Sequence, residues 1–582
     1  MAQAGLDTKL DLEERVSYIH SNADKNGGEG YVDAKTPGEL EDGALVEGGA
    51  LHLFSREAFG LFSQYAAIGI IYGMIPNLSY ALYTVYLGME GYQTTSYGVL
   101  VTTGWSFKVF FGMLSDCMPI FGYRRKSWML IGWSVTMICL LIMTFTPFGR
   151  PFCDRRISGG EEICETPLAK VRKMNLSDEK FDEYFDLSAP DRGTLFTMLS
   201  MLVSFGYVTA ACASDAMVVE YAQREPVAIR GRVQTAIYVV RTLAGVISQL
   251  VIAFFLNGKV YGGSFNFAVA PYVVFAICLV PCAFVVLTTI FVVVEVKKPR
   301  QPFGQWTSLF WNLLQKRVMW QICAFRFINN CFQGIGATPA GPIANLWAHV
   351  EPLNDSLSGV IGSFIFSGIL VVVGKWGLGW NWRWTIALAS LGVITIDAFV
   401  MFITISNTYR NQWFYTGVAL AEQVPGGVRF IVATYCAVEI ADVGTEGATY
   451  GLVTTISNLA SPFATIIFKY IDSYFKVSQD EIKSDTIEIR WEVAYCYIIS
   501  YSCKIAALFW LFMLPPQKAQ MQELKRRGGS SKLAGGLLIV LFFGALVFSM
   551  TSNIMAIFPS TKCYRIAGGK GTVNGSCPLP KK

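Results

Sequence analysis

"VVEYA" at residues 218–222, followed by "GRVQT" at 231–235, sets the plan of this chain, because the pair returns as "AVEIA" at 437–441 followed by "GLVTT" at 451–455. In both places a V-E-x-A closes one long apolar run and a G-x-V-x-T opens the next. One fragment alone arises easily by chance. Both, in the same order and at equivalent points, mark a duplicated unit with one residue of slippage between copies.

Working outward from the first copy, six apolar runs occupy 63–88, 94–114, 127–148, 194–220, 235–256 and 267–294. Around the second lie 320–348, 357–376, 384–405, 413–440, 451–471 and 493–513, and a thirteenth run, 533–557, follows a basic stretch. Runs of about 20 residues match the hydrocarbon thickness of a bilayer. The 582-residue chain is 53% hydrophobic and only 15% charged, against roughly 25% charged in soluble domains. The expected fold class is an all-α, polytopic membrane protein of two six-helix bundles plus an extra C-terminal transmembrane helix. Residues 1–60 read as a disordered acidic cytosolic tail, 61–296 as the first bundle and 297–318 as an amphipathic cytosolic linker. Residues 319–515 read as the second bundle, and 516–582 as a basic loop, the extra helix and an outer tail. The tail at the amino end carries no signal peptide, so the first membrane helix is expected to direct insertion.

A net charge of +5, with its basic residues in short loops, gives no reason to expect nucleic acid. His20, His52 and His349 are scattered, and neither a metal nor a cofactor is expected. "AGGKGT" at 567–572 lacks the spacing and the preceding strand of a phosphate loop. With no nucleophile–base pairing visible either, an enzyme is not expected. Cys139, Cys212, Cys278, Cys282, Cys323, Cys331, Cys436, Cys496 and Cys503 lie in apolar runs as small hydrophobes, and Cys117 lies just past one. Cys153 with Cys164, and Cys563 with Cys577, sit in polar segments and can pair if those segments face an oxidising compartment.

Clusters of basic residues fall on alternate loops: Arg124, Arg125 and Lys126; Arg224, Arg230 and Arg232; Lys297, Lys298 and Arg300; Lys525, Arg526 and Arg527. The positive-inside rule then puts the amino terminus in the cytosol, and the long 149–193 loop departs from it as long loops do. The sequons at Asn175, Asn354 and Asn574 all fall on the expected outer side. In the linker, Trp306, Leu309, Phe310, Leu313 and Leu314 form a helical stripe. It suits either the inner membrane surface or a face packed on protein.

Proline and glycine interrupt the first run of each half, at Pro76 in "YGMIPNLSY" and at Pro339 in "QGIGATPAGPI", and Pro425 opens a Pro-Gly-Gly in the tenth run. Interruptions in matching segments of two repeats point to a midplane site, although kinks also serve packing. Seven ionisable side chains lie well inside runs: Lys108, Asp215, Arg241, Arg326, Asp397, Glu422 and Arg429. At about 2.5–3.5 kcal/mol each, seven facing lipid would cost on the order of 20 kcal/mol, beyond a typical protein's whole stability. They must face the interior, pair, or line water.

Gly104, Lys108, Gly112 and Asp116 recur every four residues along one face. Lys108, Arg241, Arg326, Glu422 and Arg429 are the candidate solute contacts, with an ion pair as the competing reading for each cation. Glu422 and Arg429 would share a face if the Pro-Gly-Gly did not intervene. Asp215 reads either as a proton carrier, its carboxyl buried, or as the partner of Arg241 or another cation. Asp397 has no evident partner and reads as a second proton site or a polar lock.

"GMLSDCMPIFGYRRKSW" (112–128), "SDAMVVEYA" (214–222) with "RGRVQ" (230–234), and "FPSTKCYRIAGGKG" (558–571) together resemble the folate–biopterin transporter (BT1) family of the major facilitator superfamily. The resemblance spans roughly 59–571. It implies a proton-linked carrier of folates, pterins or a similar anion, with some relatives taking metabolites such as S-adenosylmethionine. It implies a cytosolic gate at Asp116, Arg124 and Arg125, and a second charged cluster at Asp215, Glu220, Arg230 and Arg232, of which Glu220, Arg230 and Arg232 are read as gating residues, with Glu439 as the repeat counterpart of Glu220. The basic group arrives later than the general superfamily pattern, because "CMPIFGY" intervenes. The expected partners are such a solute, a proton and membrane lipid. A sensor or scaffold that kept the fold without transport is the competing class.

Overall fold

A computed structural model describes residues 49–174, 177–224, 232–297, 302–376, 380–440, 446–572 and 577. The tail expected to be disordered lies, up to residue 48, outside the described residues. Helix 1 starts at Arg56, seven residues before the apolar run, because Ser55 caps it by accepting the Ala58 N–H at 3.2 Å. It runs to Met74, turns at 75–78 around Pro76, and resumes as a π-helical segment, Ser79–Tyr86.

Helix 2 is built in three pieces, Gly91–Leu100, a 3₁₀ turn Thr103–Phe107, and Lys108–Cys117. Helices 3 to 6 are Lys126–Phe145, Ala189–Gln223, Arg232–Phe255 and Pro271–Phe291. The linker helix, Phe303–Gln315, buries Leu313 and Leu314 and leaves Phe303 and Leu309 exposed, so it offers one face to protein and one outward.

Helix 7 is Arg317–Gln333 and, after a break, Ala340–Leu346. Helices 8 to 12 are Pro352–Trp376, Trp382–Ile405, Gln412–Ile440, Glu446–Asp472 and Ile487–Ala506, the last continuing as a 3₁₀ segment to Met513. Helix 13 is Lys532–Ile557. Among the described residues only isolated β-bridges occur, no strand. Among the described residues nine helices are long and apolar enough to cross a membrane; helices 2 and 7, both interrupted, and helices 8 and 10 are not among them. The chain is thus an all-α, multi-pass membrane protein.

Large apolar side chains such as Ile138, Val280, Leu388, Phe399 and Val540 are exposed on the outside of the bundle. In water that would be an aggregation surface; against lipid it is the required one. Pro425 does not break helix 10, nor do Pro281 and Pro462 break helices 6 and 11. A single proline removes one N–H, and packed neighbours keep such helices continuous. Gly427, two residues after Pro425, sits so close to Ile369 of helix 8 that a Cβ would lie 3.0 Å from the Ile369 side chain.

Helix 13 is not a peripheral addition. It lies in the seam between helices 2 and 11, where Phe542, Leu546 and Met550 meet Phe107, Phe110, Leu459 and Phe463. Both polar cysteine pairs are bonded, Cys153–Cys164 in the 149–188 loop and Cys563–Cys577 beyond helix 13. They lie on one face of the bundle. The first loop touches Asp480 through the Leu168 N–H, and the tail reaches Ser473 through Arg565. The sequon at Asn354 does not suit glycosylation, because that side chain is 2% exposed in the first turn of helix 8. Asn175 and Asn574 lie outside the described residues.

Candidate functional site

The 3₁₀ turn at 103–107 re-aims helix 2 directly before Lys108. Gly104 packs against Ser204 of helix 4, where a Cβ would lie 2.7 Å from the Ser204 hydroxyl, whereas Gly112 meets nothing within 4 Å. The stripe read at every fourth residue is therefore broken by the turn, and only Gly104 serves a close helix approach.

Lys108 Nζ lies 2.6 Å from Asp215 Oδ2, and the Tyr65 hydroxyl donates to Asp215 Oδ1. Of the partners open to Asp215, the structure selects Lys108 over Arg241. The Arg241 guanidinium instead stacks 5.0 Å from the Tyr72 ring and 5.1 Å from the Trp105 ring. Lys108 is 5.7 Å from that same Trp105 ring. Helices 1, 2, 4 and 5 thus bring two cations, one carboxylate and three aromatic rings to one place.

The second half holds a separate polar group. Asp397, which looked partnerless, has Lys504 of helix 12 at 3.9 Å, with Tyr501 beside the ammonium. Glu422 is within electrostatic reach of Tyr415 and Tyr501. Asp355, in the first turn of helix 8, is solvent-accessible although Tyr80 of helix 1 and Tyr415 of helix 10 are both within its reach. Arg326 stands half-buried on the first piece of helix 7. The Arg429 side chain lies outside the described residues. The helix-7 break is satisfied by protein: Asp472 accepts the Thr338 N–H at 2.7 Å, and Ser500 donates to the Ile335 carbonyl at 2.7 Å.

At the basic end, Arg125 pairs with Asp116 at 2.7 Å and with Glu220 at 3.9 Å, and donates to the Ser115 hydroxyl at 2.6 Å. Glu295 accepts the N–H groups of Arg124, Arg125 and Lys126 at 2.8, 2.9 and 2.7 Å, closing the start of helix 3. Each of these contacts lies within the first half. Arg230 lies outside the described residues, as do the side chains of Arg232 and Glu439.

At the opposite end contacts cross between halves. Glu351 accepts from Asn257 at 3.1 Å and from Ser264 at 2.8 Å, and the Tyr80 hydroxyl donates to the Val350 carbonyl. Gly91, the first residue of helix 2, lies directly on the Thr338 carbonyl of the helix-7 break. The two halves are pinned together there. Asp355, Asp472, Glu295 and Lys469 escaped the sequence reading, which weighed only charges deep inside runs, and Lys504, in the middle of the 493–513 run, was missed although it met that criterion. For Asp355 the available signal was Pro352 at the start of helix 8, since proline at a first helical position places Asp355 inside the helix.

Residues 69–150 match the model of the BT1 family. A folate-biopterin transporter of Synechocystis sp. is 22% identical over 507 residues, covering 84% of this chain and 87% of its own length. Among solved structures, a D-xylose-proton symporter superposes with a TM-score of 0.51 at 13% identity, over 79% of this chain and 99% of its own. A structure of proton dependent oligopeptide transporters gives 0.50 at 12% identity, over 81% and 99%. The structural likenesses show the fold, that of the major facilitator superfamily. The BT1 resemblance is carried by both the family model and the relative.

Proposed function

We propose that this chain, a transporter of the BT1 and major facilitator kind, moves a folate, a pterin or a related small organic anion by alternating access coupled to protons. The observation that carries this reading is the Lys108–Asp215 pair beside the Arg241–Tyr72–Trp105 stack. Flat heteroaromatic rings stack on such a platform, and an anionic group competes with Asp215 for Lys108. Asp215 is the proton carrier of this reading, released from Lys108 when the solute takes that ammonium. Arg326, Glu422 and Arg429 complete the solute contacts from the second half, and Asp397 serves as a second proton site.

Alternating access needs gates at both ends. Asp116, Arg124, Arg125 and Glu220, with Arg230, Arg232 and Glu439, form the cytosolic one. The basic loops face the cytosol with the amino terminus, and the two disulfides face an oxidising compartment, as the positive-inside rule and thiol chemistry both favour.

Purified protein in liposomes, offered folic acid, biopterin and S-adenosylmethionine with and without an imposed proton gradient, tests the reading. Gradient-driven uptake of one compound, weakened by Lys108→Met and by Arg326→Met, is the expected result. Asp215→Asn should take up solute without regard to the gradient. No uptake of any compound by folded protein would leave the sensor or scaffold reading standing.

A further inference from the structure

Four basic side chains converge where the second half meets helix 13. Lys316 joins the linker helix to helix 7, whose first residue is Arg317. Lys525 and Arg526 stand near the end of a short basic helix, Lys518–Arg527, that precedes helix 13. Two backbone bonds lock these pieces together: the Arg317 N–H donates to the Gly529 carbonyl and the Ser531 N–H to the Gln315 carbonyl, both at 2.9 Å. Gly528 and Gly529 hold φ at +63° and +102°, a left-handed backbone that lets the chain turn from the basic helix into helix 13.

The basic helix is anchored by Met521 and Leu524, which pack into the apolar cluster of Val318 and Met319. Gln522, Lys525 and Arg526, at i, i+3 and i+4, share the face turned to Lys316 and Arg317. Between the two walls runs a groove of about 600 Å³, whose described lining holds the four cations and no carboxylate. Glu523, the acid next to it in sequence, pairs with Arg527 at 2.6 Å. Two helices begin and two end around the groove, so their dipoles largely cancel and the side chains supply the field.

The groove lies at the membrane surface. Helix 13 starts at Lys532, and Leu533, Leu537, Val540 and Leu541 form an exposed stripe along one side of it. Gly535, on the other side, packs against Leu314 and Gln315 of the linker helix. An acyl chain lying on that stripe brings its headgroup to the groove.

We propose that this groove is a site for an anionic glycerophospholipid whose headgroup carries phosphate monoesters, the phosphoinositide class. Guanidinium and ammonium groups bind phosphate oxygens through charge-assisted hydrogen bonds. Clusters of four or more of them just beyond a membrane helix attract anionic lipid, which is concentrated in the cytosolic leaflet that the basic end is assigned to. A cavity of this size takes up a small molecule, more than one phosphate fills. Orientation in the bilayer needs basic residues only on the correct side. It does not need four of them drawn into one groove from segments at either end of the second half.

Purified full-length protein, stripped of lipid in a neutral detergent, is titrated with dioctanoyl phosphatidylinositol bisphosphate, and the bound fraction is read by native mass spectrometry. Inositol trisphosphate, inorganic phosphate and dioctanoyl phosphatidylcholine are the comparison ligands. One bisphosphate lipid should bind about tenfold or more tightly than any of the three, because only it offers both phosphate and acyl chains. Lys525→Gln with Arg526→Gln should weaken it about thirtyfold, at about fivefold per charge removed. Lys525→Arg with Arg526→Lys should keep it, and Arg527→Gln, which lies off the groove, should leave it nearly unchanged. Melting temperature in the same detergent shows whether each variant is folded, and Lys316→Gln with Arg317→Gln repeats the test from the opposite wall. Equal binding of the trisphosphate and the lipid would make the groove a site for soluble phosphate esters and overturn the lipid as its occupant. Equal binding of phosphatidylcholine, or full binding kept by both folded glutamine pairs, would overturn the site itself. Solute uptake is a separate measurement, so either failure leaves the solute reading standing.

Discussion

Lys108 and Asp215 meet at 2.6 Å across helices 2 and 4, with 19% and 27% of their side chains accessible. Removing one leaves the other without its ion-pair partner, at a cost softened by that accessibility and, for Asp215, by the Tyr65 hydroxyl. Lys108→Met and Asp215→Asn should each lower stability by about 1–3 kcal/mol, and the double variant by clearly less than the sum. Thermal unfolding of the four proteins in one detergent closes the cycle. Strictly additive losses would mean the two groups do not sense each other.

Arg241 is held by rings, not by a carboxylate: Tyr72 and Trp105 flank its guanidinium at 5.0 and 5.1 Å. A planar, delocalised cation stacks where a lysine ammonium does not. Arg241→Lys should keep the charge, leave stability nearly unchanged and raise the KM for an aromatic solute about three- to tenfold. An aliphatic anion, offered as a competitor, should be affected less. Equal loss for both would indicate that charge alone matters at this position.

What could be read from residues 1–582 divides along a physical line. Spans were legible because a bilayer imposes length and hydropathy on each helix independently, and among the described residues nine helices are long and apolar enough to cross. Lys108 and Asp215 were legible as misplaced charges, but their pairing was not, since it depends on the 3₁₀ turn that rotates helix 2 ahead of Lys108. Pro425 misled because a proline's effect on a helix is decided by what packs beside it. Lys469 was passed over because it lies near the end of its apolar run, where a lysine is expected to reach water, whereas Lys504 stands in the middle of the 493–513 run as a legible misplaced charge that went unread. The placement of helix 13 in the seam is purely tertiary, and no local pattern announces it.

Glu295 closes the start of helix 3 by accepting three consecutive backbone N–H groups at 2.7–2.9 Å. Those donors have no partner within their own helix, and hydrogen bonds to a charged acceptor contribute about 1.5–3 kcal/mol. Glu295→Ala should cost about 2 kcal/mol, and Glu295→Gln about half as much, because one neutral oxygen remains to accept. The Arg125–Asp116 pair, which hangs from the same turn, should loosen with it, and faster hydrogen exchange in 120–128 would register that. Unchanged exchange there would show that Arg125 is held by Asp116 and Glu220 without the cap.

Lys469 is fully buried where helices 2, 11 and 13 meet, its ammonium donating to Ser96 Oγ at 2.8 Å and to Asn553 Oδ1 at 2.9 Å. Among the described residues no carboxylate stands within ion-pair distance of it. Two terms oppose each other on replacement. Lys469→Met removes the desolvation cost of a buried charge, which favours the variant. It also leaves Asn553 Oδ1 without its donor, at about 1–3 kcal/mol. The single variant should therefore unfold within about 1 kcal/mol of the parent, while Lys469→Met with Asn553→Leu should gain about 1–2 kcal/mol. If Lys469 serves only to tie helix 13 into the seam, both variants keep solute uptake, since the apolar replacements hold the three helices together. Uptake lost in the more stable double variant would instead make Lys469 part of the transport cycle, and a large destabilisation by Lys469→Met alone would show that the ammonium outweighs the cost of burying it.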